Sequence, residues 1–252
     1  LAYGKVSTGY KAGGNQFFAT AAIPNLAAFK PEKIIEYEIG VKGSVNKAIS
    51  YSFSAYYNRS KDIQALAVYP MGYTFNILTT NVAEMRNYGF EGQISANITD
   101  NLNVKAVGMI ENPKYLRYID PVSGADLRQN QFYLTTKHQF SLAGVYTRDR
   151  YTFSANYDWV DRTPAYSGSY QHFVGAYGPV IGNQAFYYSD IPAHGTLNLK
   201  ASIDFGKFDV SLWGRNVLNA RYPVNVSAQE PAFIAGTFND PVTYGITVKV
   251  SI

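Results

Sequence analysis

The sequence of 252 residues contains no cysteine, only three histidines and few charged side chains. Without cysteine, disulfide frameworks, thiolate metal sites and cysteine nucleophiles are excluded. Charged residues make up 16% of the chain and the net charge is +4, with the basic residues scattered, so no nucleic-acid partner is predicted. No run of about 18 apolar residues occurs, and no transmembrane helix is predicted.

The chain is rich in aromatic residues, with 22 Tyr and 15 Phe. Apolar and polar residues alternate with period two in ten segments, which is typical of strands with one apolar face and one polar face. No stretch with helical periodicity competes with them. The predicted strands cover residues 1–10, 35–44, 50–62, 86–99, 102–110, 138–147, 151–160, 196–205, 208–216 and 243–252.

The connections between these strands alternate between very short and very long. The short ones are 45–49, 100–101, 148–150 and 206–207. The long ones are 11–34, 63–85, 111–137, 161–195 and 217–242, and loops of this length are uncommon in compact soluble domains. Within residues 63–85, the stretch VYPMGYTF predicts a hairpin that continues beyond the sheet and turns near residues 70–72. The pattern predicts an antiparallel meander with short turns at one end of the sheet and long loops at the other.

The two-faced strands fit either a soluble β-sandwich or a transmembrane β-barrel. Strand lengths of about 9 to 11 residues, short turns on one side only, and aromatic residues near strand ends favour the transmembrane antiparallel meander β-barrel. Ten strands could close by themselves. However, the inward positions are mostly Ser, Thr, Asn, Gly and Ala, and a narrow barrel needs bulky side chains there. We therefore expect a wider barrel with strands upstream of Leu1. Because the sequence begins inside a strand pattern, we interpret it as a piece of a longer protein.

Five stretches carry a family resemblance, in one order along essentially the whole chain. They are YGKVSTGYKAGG at 3–14, FKPEKIIEYEIGVKGS at 29–44, NYGFEGQISANITDNLNV at 87–104, GRNVLNARY at 214–222 and TYGITVKVSI at 243–252. Together these stretches resemble the C-terminal part of the barrel of TonB-dependent outer-membrane receptors. One departure is the last residue, Ile252, where the family usually has Phe or Trp.

The resemblance implies a 22-stranded barrel in the outer membrane of a Gram-negative bacterium, with residues 1–252 supplying roughly its last ten strands. It implies partners outside this chain, namely membrane lipid, an upstream plug domain, and the TonB complex, which contacts a box on that plug. It also implies import of a small-molecule ligand captured by extracellular loops. A ferric siderophore is the default ligand, while cobalamin and oligosaccharides stay open.

The longest loop contains the predicted ligand contacts. Aromatic rings there offer rigid contact area with a polar tip, which suits iron chelates and sugar rings, although the same rings could pack the loop on itself. His138 and His194 are interpreted as solvated or interfacial rings rather than metal ligands. The candidate contacts are Tyr166, Tyr170, His172, Phe173, Tyr177, Tyr187 and Tyr188.

Charged residues at inward positions form the second candidate set. Ionisable groups at membrane depth are tolerated where they face a polar cavity, and they often line a solute path. Ion pairs that hold strands or the plug together are an equally open interpretation. The set comprises Glu36, Glu38, Lys42, Glu91, Lys105, Lys200, Asp204 and Arg215.

No catalytic residue, metal site or cofactor is predicted. The stretch HGTLNLKASID contains Ser, His and Asp, but an extended strand places His194 and Asp204 about 30 Å apart. Two alternatives to the receptor remain at this stage. One is a self-contained ten-stranded porin, adhesin or outer-membrane hydrolase, and the other is a soluble β-rich binding module.

Overall fold

The computed structural model is built from antiparallel strands. Seventeen strands and no helix occur in the described part of the chain, and no helix there is long and apolar enough to cross a membrane. The structure describes residues 1–16, 28–71, 74–132, 135–164, 190–229 and 233–250.

Ten strands follow one another in a single sheet, each antiparallel to the next. Every one of the ten predicted strands is present, so the predicted meander is confirmed. The sheet order follows chain order. The strands are β1 (Ala2–Lys11), β4 (Glu32–Val45), β5 (Ile49–Met71), β6 (Thr74–Thr99), β7 (Leu102–Glu111), β9 (His138–Arg148), β10 (Tyr151–Val160), β13 (His194–Asp204), β14 (Phe208–Arg215) and β17 (Thr243–Val250).

Two strands are much longer than predicted. β5 has 23 residues and β6 has 26, and they pair up to Met71 opposite Thr74. The predicted extension of this hairpin beyond the sheet is therefore confirmed. Its register shifts between Ser60 and Gln64, where a bulge separates the sheet portion from the extension.

Alternation of side chains divides the ten-stranded sheet into a polar face and an apolar face. Along β10, Tyr151 and Phe153 lie on the apolar face, and Thr152 and Ser154 lie on the polar face. Large apolar side chains stay exposed, as Ile246 is 71% exposed on the edge strand β17. In the described residues no second layer covers this face, although a sandwich would require one.

Among the described residues, buried apolar side chains are few and lie mostly away from the membrane-length part of the sheet. Four of the five that are described are in the β5–β6 extension, namely Tyr69, Leu78, Val82 and Ala83. The short strand β8 (Lys114–Tyr118) pairs with β6 beside them. This small core therefore stabilises the extension and not the ten-stranded sheet.

Glycines opposite aromatic rings recur across neighbouring strands. A ring covers the backbone of the facing glycine, so a Cβ built on Gly92 would lie 2.8 Å from the Phe53 ring and one on Gly43 would lie 2.9 Å from the Tyr51 hydroxyl. Such pairs are a known way to stabilise glycine in sheets. The directly opposed pairs are Tyr3 with Gly40, Tyr51 with Gly43, Phe53 with Gly92, Tyr56 with Gly89, Trp213 with Gly245 and Tyr244 with Gly214.

The two ends of the sheet differ in construction. The short-turn end consists of the turns around residues 46–48, 100–101, 149–150 and 205–207. The long-loop end holds the β5–β6 extension, β8 and three small two-stranded sheets. These pair β2 (Gly14–Asn15) with β3 (Ala28–Phe29), β11 (Thr163–Pro164) with β12 (Asp190–Ile191), and β15 (Pro223–Gln229) with β16 (Phe233–Phe238).

Candidate functional site

The polar face carries a ladder of charged side chains. Strand register places all eight predicted inward charges on this face, although register says nothing of their role. Lys5, which the sequence reasoning did not select, lies between two of them. Its Nζ is 3.0 Å from Glu38 Oε2 and 3.4 Å from Glu36 Oε1, and the Tyr3 hydroxyl donates a 2.6 Å hydrogen bond to Glu38 Oε1.

A second polar group lies two strands further along. The carboxylate of Glu111 accepts a 2.6 Å hydrogen bond from Asn87 Nδ2 and a longer one, 3.4 Å, from the Tyr56 hydroxyl. Glu91 lies on the same face two residues along β6 from Gly89, which pairs with Glu111. The sequence placed Glu111 in a loop, but Glu111 is the last residue of β7. It lies an even number of residues from Lys105 and therefore on the same face of the strand, which the sequence alone could have indicated.

A cavity of about 430 Å³ opens on the polar face across β9, β10, β13, β14 and β17. It brings together two of the predicted charges, Lys200 and Arg215, with Trp213 between them. The Arg215 guanidinium lies 5.2 Å from the Trp213 ring centroid, and the indole N–H donates to Thr247 Oγ1 at 3.1 Å. The lining also includes Ser154, Asn156 and Asn198.

The chemistry of this cavity is that of a hydrogen-bond donor site. Within the described ranges, neither Lys200 nor Arg215 lies within 4.0 Å of a carboxylate oxygen. Amide and hydroxyl groups on three strands surround the two cations. Such a cavity can receive an anionic or acceptor-rich group, since the guanidinium and ammonium can only donate.

The remaining predicted charges do not join these groups. Lys42 lies opposite Ser52, and Lys105 lies opposite Ser95 and Ala143. Asp204 is at the short-turn end, where its Oδ1 accepts a 2.6 Å hydrogen bond from Gly206 N and shapes the turn.

At the long-loop end, polar contacts join the ends of β9, β10 and β12. His138 Nδ1 lies 2.7 Å from Asp161 Oδ2, and Asp161 Oδ1 accepts a 2.7 Å bond from the Arg162 amide. The Arg162 guanidinium pairs with Asp190 and donates to Gln131 at 2.6 Å. Two hydrogen bonds lower the pKa of Asp161 below its ordinary value. The one from His138 has the larger effect, and the one from the Arg162 amide has the smaller effect.

The seven predicted ligand contacts all lie in residues 165–189, outside the described residues. The other two histidines are placed. His138 forms the pair above, while His194 stacks on Tyr222 at 3.5 Å between ring centroids and its Nδ1 is 2.8 Å from the carbonyl oxygen of Pro192. In the described part of the chain, no three His, Asp or Glu side chains gather as a metal site.

Comparison with protein families accounts for the two-faced meander. Residues 1–217 match the family model described as TonB dependent receptor-like, beta-barrel. The chain belongs to this family. TonB-dependent receptor barrels are outer-membrane proteins of Gram-negative bacteria, and the family consists of receptors and transporters, not enzymes.

Solved structures of TonB-dependent receptors share the fold. The ferric yersiniabactin uptake receptor FyuA from Yersinia pestis matches with a TM-score of 0.72 and 15% identity, over 99% of this chain and 34% of FyuA. The siderophore receptor PiuA from Acinetobacter baumannii gives 0.69 and 16%, over 98% and 33%. The copper transporter OprC gives 0.68 and 15%, over 100% and 38%. The chain therefore spans about a third of the length of these receptors.

The alternative of a self-contained ten-stranded barrel finds no support. In the described part of the chain, β1 and β17 stand at opposite ends of the strand order and do not pair with each other. The hydrolase version fares no better. His194 and Asp204 are the first and last residues of β13 and so lie far apart.

One aromatic cluster at the long-loop end of the receptor barrel escaped the sequence reasoning. Tyr115 stacks on Phe132 with ring centroids 4.0 Å apart, and Tyr118 packs on Tyr115 at 4.8 Å. Burial raises the pKa of Tyr115 to about 12. No periodic signal in the sequence indicated this cluster, because Phe132 reaches the two rings of β8 only through a loop.

Proposed function

We propose that the protein imports a ferric siderophore across the outer membrane of a Gram-negative bacterium. Residues 1–252 would form the C-terminal part of the barrel wall, roughly the last ten of 22 strands, together with extracellular loops. The observation that carries the proposal is a receptor-family sheet whose polar face bears paired charges and a donor-lined cavity, while its apolar face stays exposed.

The two faces support a barrel wall between lipid and a polar lumen. Apolar residues on alternate positions suit the hydrocarbon, and ionisable residues at membrane depth require a polar cavity such as a plugged lumen. In this arrangement the short-turn end faces the periplasm and the long-loop end faces the outside. The plug and its contact with TonB would be supplied by other parts of the protein.

The choice of ligand rests on two kinds of support. FyuA and PiuA are named as receptors for ferric yersiniabactin and for a siderophore, while OprC is named as a copper transporter. Lys200 and Arg215 suit a ligand rich in oxygen acceptors, as iron chelates are. We propose that Tyr166, Tyr170, His172, Phe173, Tyr177, Tyr187 and Tyr188 capture this ligand.

Uptake and binding measurements test the ligand class. A strain that lacks the gene is grown on ferric siderophores, copper, cobalamin or oligosaccharides as single sources of the limiting nutrient. We expect loss of growth on a ferric siderophore alone. Loss of growth on cobalamin or copper instead would contradict the siderophore proposal.

Loop substitutions test the capture residues. Replacing Tyr170 and Phe173 by alanine should weaken binding of the ferric siderophore at least tenfold, since aromatic anchors often contribute more than about 1.4 kcal/mol. The control is Tyr10→Leu, a ring 79% exposed on the apolar face. Unchanged affinity of the double variant would reassign that loop to packing.

A further inference from the structure

Three basic residues lie at the short-turn end, in or beside the turns that join β9 to β10 and β13 to β14. Arg148 ends β9, Arg150 is the last residue of the turn before β10, and Lys207 occupies the neighbouring turn. All three are exposed. The two turns are adjacent, because Asp204 N donates a 2.9 Å hydrogen bond to Arg150 O.

An aromatic platform on the apolar face holds the central one of these cations. The Arg150 guanidinium carbon lies 5.3 Å from the Tyr151 ring centroid and 5.9 Å from that of Phe205. Its Nη2 is 3.3 Å from the Tyr151 hydroxyl, and Phe205 stacks on Phe208 at 4.9 Å. Cation–π contact of this kind orients the guanidinium along the apolar face.

The carboxylates nearby do not neutralise the cluster. Asp149 shares the turn with Arg150, and Asp204 is directed to Gly206 N on the polar side. Among the described residues, no carboxylate oxygen lies within 4.0 Å of Arg148, Arg150 or Lys207. The cluster therefore keeps unmet donors beside exposed rings.

We propose that this cluster binds the phosphate of an anionic phospholipid in the leaflet at the short-turn end. Aromatic rings at this level of a barrel lie at the lipid headgroups, and a guanidinium can bind two phosphate oxygens at once. Phe205 and Phe208 contact the acyl-chain side, and Arg148, Arg150 and Lys207 meet the headgroup. The site depends on the membrane placement proposed above, but not on the transported ligand.

Lipid retention by the intact purified protein tests the site. Native mass spectrometry compares bound phosphatidylglycerol and phosphatidylcholine, each added to the protein in detergent. Phosphatidylglycerol should be retained preferentially. Arg150→Gln should weaken that retention about fivefold and the double change with Arg148→Gln about 25-fold, since each basic residue near an anionic surface has an effect of about this size.

Lys47→Gln is the matched control, because Lys47 is an exposed cation at the same end in a turn outside the cluster. It should leave retention nearly unchanged, and an equal loss for Lys47→Gln would overturn the site as general attraction to the rim. Competition by free glycerol phosphate at millimolar concentration should fail, and success would assign the cluster to soluble phosphates instead.

The unsubstituted protein offers a second measurement. Retention of phosphatidylglycerol should fall as NaCl rises, whereas that of phosphatidylcholine should not. Equal retention of the two lipids would overturn the lipid site alone. Solubility in water without detergent would overturn the membrane placement and the proposed function with it.

Discussion

The two ends of the sheet connect neighbouring strands in different ways. At the short-turn end, residues in left-handed backbone conformation turn the chain within a few positions, as Asn46 (φ 59°), Asp149 (φ 53°) and Gly206 (φ 83°) do. At the long-loop end, side-chain amides bind backbone groups that have no strand partner. Gln16 illustrates this, because it accepts from Thr79 N at 2.7 Å and donates to Thr79 O at 2.8 Å.

The same device recurs around the long-loop end. Asn81 accepts from Lys30 N at 2.7 Å and donates to the carbonyl oxygens of Lys30 and Asp62. The buried Asn216 holds Ala220 through its N–H and C=O groups and also donates to Asp240 O at 3.1 Å. The difference teaches that the backbone ladder stabilises the wall, whereas a few amides anchor the loops. Under the proposed function, the loop sequence between those anchors is left for ligand capture.

The largest expected effect tests the wall. In Gly89→Ala, the new Cβ would lie 2.6 Å from the backbone oxygen of Ile110 and 2.5 Å from the Tyr56 hydroxyl, so two strands must separate. We expect a loss of about 3 kcal/mol in the free energy of unfolding, or failure to assemble. Thermal unfolding in detergent measures it.

Gly144→Ala is the control for that change, because its Cβ would meet nothing closer than 4.0 Å. It should be nearly neutral. Equal losses for the two variants would show that strand propensity, and not close approach of the wall strands, sets the effect at Gly89.

A smaller effect is expected when a loop anchor is removed. Asn216→Ala deletes three side-chain hydrogen bonds and leaves alanine at a φ of 47°, which should cost about 2 to 3 kcal/mol. Hydrogen exchange should rise in residues 216–242 while the amides of β9 and β10 stay protected. If amides throughout the ten-stranded sheet also lost protection from exchange, Asn216 would stabilise the sheet as well as the loop, which would contradict the proposed difference between the two ends.

Asn46→Ala serves as its comparison at the other end. Asn46 has a similar φ of 59°, and no side-chain hydrogen bond of Asn46 is found in the described part of the chain. Its substitution should cost only the backbone term, about 1 kcal/mol.

The smallest effect concerns pH at the long-loop end. The folded-state pKa of Asp161 is lowered by His138 and Arg162, so its contribution to stability is present above the unfolded-state value, about 3.9, and is lost as pH falls through the folded value. We expect less than about 1 kcal/mol, because the pair is partly exposed.

Local hydrogen exchange at residues 160–164 between pH 5 and pH 2 follows that loss. Asp161→Asn should flatten the pH dependence, and Asp149→Asn at the short-turn end should leave it unchanged. A pH profile that Asp161→Asn does not alter would assign the change to another carboxylate.

Much of the wall was predictable because period two is a local property. Alternation alone located ten strands and placed Lys200 and Arg215 on the polar face. Their meeting around Trp213 was not predictable, since it depends on the pairing of Leu199 with Gly214 across β13 and β14. Glu111 was assigned to a loop for a related reason, because strand ends follow the neighbouring strand and not the residue itself.

The glycines beneath aromatic rings have a consequence for how the strands find one another. A slip of two residues keeps every side chain on its own face, so the apolar pattern cannot detect it. It would nevertheless move Tyr3 away from Gly40, Tyr56 away from Gly89 and Trp213 away from Gly245. Each ring–glycine pair thus specifies the register between two neighbouring strands. In a related sequence, the positions of such rings and glycines would predict the strand register from the sequence alone.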